Sequence, residues 1–158
     1  MSHAPLNITL NSPDQTAALA QTLAPKLGAG DVILLTGDIG AGKTHFARSL
    51  IQARLGYAED VPSPTFTLVQ TYETGDTNLW HADLYRLTSP DEVVELGLTE
   101  AFEDAICLVE WPDRLAELAP KSALSMTLKM TETPGERQLS LSWTDDKWSA
   151  RLRDLSFD

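Results

Sequence analysis

Eight residues, Gly37-Asp38-Ile39-Gly40-Ala41-Gly42-Lys43-Thr44, follow the pattern G-x-x-x-x-G-K-[ST] without a mismatch. Each residue type in it suits the binding of a phosphate chain. Glycines let the backbone curl until its N–H groups point inward at phosphate oxygens, and a helix starting at the end of the loop adds partial positive charge. Lys43 is placed to neutralise the β- and γ-phosphates, and the Thr44 hydroxyl to ligate Mg²⁺. His45 comes next, and only its backbone need touch phosphate. The expected ligand of Gly37–Thr44 is ATP with Mg²⁺; the letters alone do not separate adenine from guanine.

Three further segments hold side chains that such a site needs. Glu110 follows the apolar run Ile106–Val109, at the end of a strand where ligands gather in open α/β sheets, and is the candidate carboxylate for the metal, directly or through water. Trp111 beside it either packs on the nucleotide or fills the core. In His81-Ala82-Asp83-Leu84-Tyr85, alternation on a strand puts Trp80, Ala82 and Leu84 on one face and His81, Asp83 and Tyr85 on the other. Asp83 is the candidate to position an attacking water or hold a metal-bound one, while His81 reads as structural. Ser63 and Thr65, in Ser63-Pro64-Thr65-Phe66, lie in the loop downstream of the P-loop helix, where a γ-phosphate sensor belongs.

The elements that must carry these residues are legible from periodicity and punctuation. Asn7–Leu10 alternates as a strand. Ser12, Pro13 and Gln15 form a helix start with a capping box, Leu19, Leu23 and Leu27 give the helix a buried stripe, and Pro25 ends or kinks it. Asp31–Thr36 reads as a buried strand, Lys43–Leu55 as a helix stopped by Gly56, and Val61–Pro64 as an irregular loop. Phe66–Glu73 and Leu79–Leu87 suit an antiparallel hairpin about Gly75-Asp76. Asp91–Leu96, Glu100–Ala105 and Pro112–Leu118 are short helical pieces around the strand Ile106–Val109. Leu124–Met130 and Arg137–Trp143 follow as strands, and Thr144–Leu155 as a capped helix with Trp148, Leu152 and Leu155 on one face. The expected fold is α/β, with a mainly parallel central sheet flanked by helices and an antiparallel hairpin insertion, in a single domain over residues 1–158.

Composition narrows the function. The chain of 158 residues is 42% hydrophobic and 22% charged, which suits one folded core. No apolar run is long enough to span a bilayer and no signal segment opens the chain, so the expected setting is the cytoplasm. The lone Cys107, inside an apolar run, excludes an internal disulfide and reads as a small buried hydrophobe. Twelve Lys and Arg against 23 Asp and Glu give a net charge of −11, with no basic cluster to displace counterions from a nucleic acid. Any service to a nucleic-acid pathway is then expected to pass through a partner.

GDIGAGKT at Gly37–Thr44, SPTFTLV at Ser63–Val69, HADLYRL at His81–Leu87 and ICLVEWP at Ile106–Pro112 together resemble the TsaE (YjeE) family, in order and spacing as well as in letters. The resemblance implies a P-loop NTPase-like ATPase of bacterial tRNA threonylcarbamoyladenosine synthesis, weak alone and active on a TsaB–TsaD complex that modifies adenosine 37. It implies Thr44 and Glu110 as Mg²⁺ ligands, Lys43 and the loop backbone on the phosphates, and Asp83 as a catalytic residue. It also implies a switch-like loop at Ser63–Phe66 and Trp111 near the site. Arg137 is the nearest match to a family arginine that approaches the nucleotide. Two other classes compete: a small-molecule P-loop kinase, whose arginine lid has no counterpart in the spread of Arg48, Arg54, Arg86 and Arg114, and a nucleotide-gated binding module.

Overall fold

The computed structural model of the chain describes residues 6–38, 40–56, 61, 68–75 and 77–152. Ile39, Ser63, Thr65, most of the expected loop at Val61–Pro64, and Leu155 lie outside the described residues.

The first strand, β1 (Leu6–Leu10), leads into α1 (Pro13–Leu23). The Ser12 hydroxyl accepts the Gln15 N–H at 3.3 Å, and Gln15 Oε1 reaches back to the Asn11 N–H at 2.6 Å, one residue before the cap. Pro25 ends the helix as expected, leaving a 3₁₀ turn at Ala24–Lys26. Strand β2 (Val32–Thr36) runs through the interior to the phosphate-loop motif, and α2 (Lys43–Leu55) stops at Gly56, whose φ of +80° suits glycine. Strands β3 (Val69–Glu73) and β4 (Asn78–Asp83) form the antiparallel hairpin. Helices α3 (Asp91–Glu95) and α4 (Leu98–Asp104) precede β5 (Ile106–Glu110), which is buried along its whole length. A 3₁₀ segment at Pro112–Leu118 follows, then β6 (Leu124–Met130), β7 (Arg137–Ser142) and α5 (Lys147–Leu152).

All seven strands join one sheet in the order β1-β7-β6-β2-β5-β4-β3. The central four, β6, β2, β5 and β4, are parallel, and their C-terminal ends meet at one edge. Antiparallel pairs close both flanks: β3 on β4, and β7 and β1 beyond β6. Helices α1, α2 and α5 cover one face through Leu19, Leu23, Phe46, Leu50, Ile51 and Trp148. On the other face α3, α4 and the 3₁₀ segment pack Val93, Leu98, Phe102 and Leu115 against Val32, Cys107 and Val109. Burial pushes the Cys107 thiol up to about 12, so it behaves as the expected inert hydrophobe.

Two expected elements are shorter than their sequence pattern. The strand expected over Leu79–Leu87 ends at Asp83, because the Asp83 carboxylate takes the Tyr85 N–H at 3.0 Å and turns the chain out of the sheet. Tyr85 therefore does not share a strand face with His81 and Asp83. The last helix starts at Lys147 rather than Thr144, whose hydroxyl is spent on the Lys121 carbonyl at 2.9 Å; Asp145 instead accepts the Lys147 N–H at 2.9 Å.

Helix α5 is tied to the start of β2 by charge. The buried Asp31 carboxylate meets Lys147 Nζ and Arg151 Nη2, each at 3.0 Å, and accepts the Gly28 N–H at 2.8 Å.

Candidate functional site

The loop after β2 keeps its shape through its glycines. A Cβ added to Gly37 would stand 2.6 Å from the Leu128 carbonyl oxygen on β6 and 3.2 Å from the Ala41 Cβ. Gly40 and Gly42 hold φ of +86° and +105°, where L side chains are strained. Gly37→Ala is expected to cost about 1–3 kcal/mol, as overpacking does. Urea unfolding should show a lower midpoint at unchanged slope; an unchanged midpoint would mean that β6 and the loop part freely.

Lys43, the first residue of α2, is 5% exposed and donates to the Gly37 carbonyl at 2.5 Å. Its Nζ stands 3.6 Å from the centre of the Trp111 ring, a cation–π distance. Desolvation lowers its pKa from 10.5, and the carboxylates of Glu110, Asp83, Asp38 and Asp113 pull it back up. Next to it, the Thr44 hydroxyl lies 3.0 Å from Glu110 Oε1 and 3.2 Å from Oε2, and donates to the carboxylate. Glu110 closes β5 and is 2% exposed.

Strand register supplies the neighbours. Asp83 lies directly opposite Glu110 on the parallel strand β4, so two buried carboxylates end adjacent strands about 4.8 Å apart. His81, two residues earlier on the same face, reaches across to Glu110 with Nε2 2.7 Å from Oε2. Trp111 has left-handed backbone (φ +59°), and its N–H donates to the Leu35 carbonyl at 3.3 Å. Its ring packs against the second apolar layer and against Tyr85, centroid to centroid 4.8 Å.

The structure thus brings together Lys43, Thr44, Asp83, Glu110 and Trp111 from three segments distant in sequence. The side chains of His45 and Arg137 make contacts with backbone carbonyls. The His45 ring turns to the Pro13 carbonyl, with Nε2 at 2.9 Å, leaving its backbone for the loop. The Arg137 guanidinium donates to the carbonyls of Ala41 (2.9 Å), Gly40 (3.2 Å) and Glu136 (2.9 Å), so two of its three contacts are with the loop backbone. Sequence reasoning left His81 out of the site. Its His-x-Asp spacing was a signal, but its partner Glu110 is set by strand order, which no local pattern encodes.

The chemistry of the donors can be tested against a metal. Among the described residues no group of three or more His, Cys, Asp or Glu side chains forms a cage. A threonine hydroxyl touching one carboxylate is a hard, oxygen-only set suited to Mg²⁺, which takes few protein ligands and completes its shell with water and phosphate. The carboxylates of Glu110, Asp83, Asp38 and Asp113 all act on the one Lys43 ammonium, so negative charge gathers about it.

A family model described as Threonylcarbamoyl adenosine biosynthesis protein TsaE matches residues 10–139. The tRNA threonylcarbamoyladenosine biosynthesis protein TsaE of Rickettsia felis is 40% identical over 125 residues, 79% of this chain and 73% of that protein. The protein of the same name from Bacillus subtilis is 36% identical over 146 residues, 92% of this chain and 90% of that one. The crystal structure of YdiB from Bacillus subtilis is similar with a TM-score of 0.78 at 28% identity, over 98% of this chain and 95% of that chain.

Proposed function

The chain belongs to the TsaE family, and we propose that it serves tRNA threonylcarbamoyladenosine synthesis as a weak ATPase that binds and hydrolyses Mg-ATP to drive turnover of a TsaB–TsaD complex. The observation that carries the nucleotide part is the Thr44–Glu110 contact at 3.0 Å beside Lys43, at the mouth of the glycine loop. In this reading the loop N–H groups and Lys43 bind the phosphates, Thr44 and Glu110 hold Mg²⁺, and Asp83 orients the attacking water. Thr44 and Glu110 would hold Mg²⁺, which would supply charge neutralisation on the phosphates. Trp111 shields Lys43 from water, which strengthens the pull of its ammonium on phosphate. Arg137 steadies the loop by donating to two of its carbonyls.

A net charge of −11 fits a protein that reaches tRNA only through its partners. No helix among the described residues is long and apolar enough to cross a membrane, and the cytoplasm is the setting this function requires. The kinase alternative loses ground because Arg48 and Arg54 are engaged with backbone carbonyls of Val61, Ala24 and Leu27 instead of forming a phosphate clamp.

Thr44→Ala and Glu110→Ala should weaken ATP binding in the presence of Mg²⁺ by about 10- to 100-fold, the range for losing a charge-assisted contact. Binding in excess EDTA should stay within a few-fold of the wild type. Calorimetry under the two conditions separates these effects, and an unchanged Mg²⁺ dependence in Glu110→Ala would return Glu110 to the role of a plain strand end.

A further inference from the structure

One buried polar side chain at the site has no part in the chemistry above. His81 is fully buried, with Nε2 2.7 Å from Glu110 Oε2, while its Nδ1 is buried without a hydrogen-bond partner among the described residues. A carboxylate oxygen accepts, so Nε2 is the ring nitrogen whose N–H donates to Glu110. Packing does not account for this residue: an apolar side chain would fill the same space without stranding a nitrogen. What histidine adds is the single N–H aimed at Glu110.

That bond has a geometric effect. A carboxylate is free to turn about its last torsion and exchange its two oxygens. With Oε2 held by His81, Oε1 is the oxygen nearest the Thr44 hydroxyl, at 3.0 Å. We propose that His81 is a positioning residue for the divalent cation: it locks the Glu110 carboxylate so that Oε1 and Thr44 Oγ1 face one point, and thereby sets the metal affinity of the site. The inference rests on the reading of Thr44 and Glu110 as the metal holders. Removing a hydrogen-bond partner that orients a ligating group commonly weakens metal binding by about 10- to 100-fold.

Two substitutions separate positioning from packing. His81→Gln sets an amide N–H near the reach of Nε2, whereas His81→Leu fills the cavity without a donor, and His81→Asn, whose amide falls short of Glu110, stands in if the leucine protein does not fold. Mn²⁺ affinity is read from the free-ion paramagnetic resonance signal with the protein saturated by the non-hydrolysable analogue AMP-PNP. Affinity for AMP-PNP in EDTA is read by calorimetry. The donorless variant should bind Mn²⁺ about 10-fold more weakly or worse, the glutamine variant within about 3-fold of the wild type, and both should keep the wild-type affinity in EDTA. Equal loss in both variants, or no loss in either, overturns the proposal. If the wild-type protein itself adds nothing to the Mn²⁺ affinity of free AMP-PNP, the assignment of Thr44 and Glu110 fails first and takes this one with it.

Discussion

Asp83→Asn is expected to slow ATP hydrolysis by the chain assembled with TsaB and TsaD about 100-fold, the low end of general-base contributions, with ATP affinity kept within a few-fold. The substitution keeps the size of the side chain. An asparagine carbonyl still accepts the Tyr85 N–H that Asp83 Oδ1 takes at 3.0 Å, and the strand pairing opposite Glu110 is a matter of backbone. What disappears is a negative charge beside Glu110, the charge that the proposed function assigns to orienting the attacking water. Multiple-turnover tRNA modification should fail in the same variant while partner binding persists. Hydrolysis at the full rate would remove Asp83 from the mechanism, and lost partner binding would make it an interface residue.

Lys43→Ala should weaken ATP binding by about 100-fold or more, the equivalent of about 2.7 kcal/mol. Lys43 is the ammonium that faces Glu110, Asp83, Asp38 and Asp113, so its loss removes a phosphate-pairing cation and leaves those carboxylates to repel the ligand. The fold should survive, because its contacts are with the Gly37 carbonyl and the Trp111 ring at the loop and not within either apolar layer. Circular dichroism checks the fold and calorimetry the binding; wild-type affinity in a folded variant would refute the assignment of the site.

Much of the scaffold was legible because its signals are local. The bounds of α2, Lys43–Leu55, follow from a glycine loop at one end and the left-handed Gly56 at the other. The face of β4 that sets Trp80 and Ala82 against the second apolar layer follows from alternation alone. What escaped was long-range or depended on a side chain competing with the backbone. Asp83 captures the Tyr85 N–H and cuts the strand short, and Thr144 gives its hydroxyl to Lys121 and leaves the helix start to Asp145. The antiparallel β7 and β1 on the far flank, the Arg137 bonds to Gly40 and Ala41, and the His81–Glu110 contact all depend on which strands lie together. Letters so far apart in the chain do not announce that.

The Asp31 cluster makes the tail of the chain part of the strand that leads to the loop. Two of its three partners, Lys147 and Arg151, lie on α5, and the third is the Gly28 N–H. A protease cut in the turn ahead of Lys147 would carry off both cations in one event. The carboxylate at the root of β2 would stay in the interior with one N–H for company, a state that buried charge does not tolerate. Nicking there is therefore not the trimming of a surface appendage: it releases the base of the central strand, and the nicked protein becomes a substrate for further digestion.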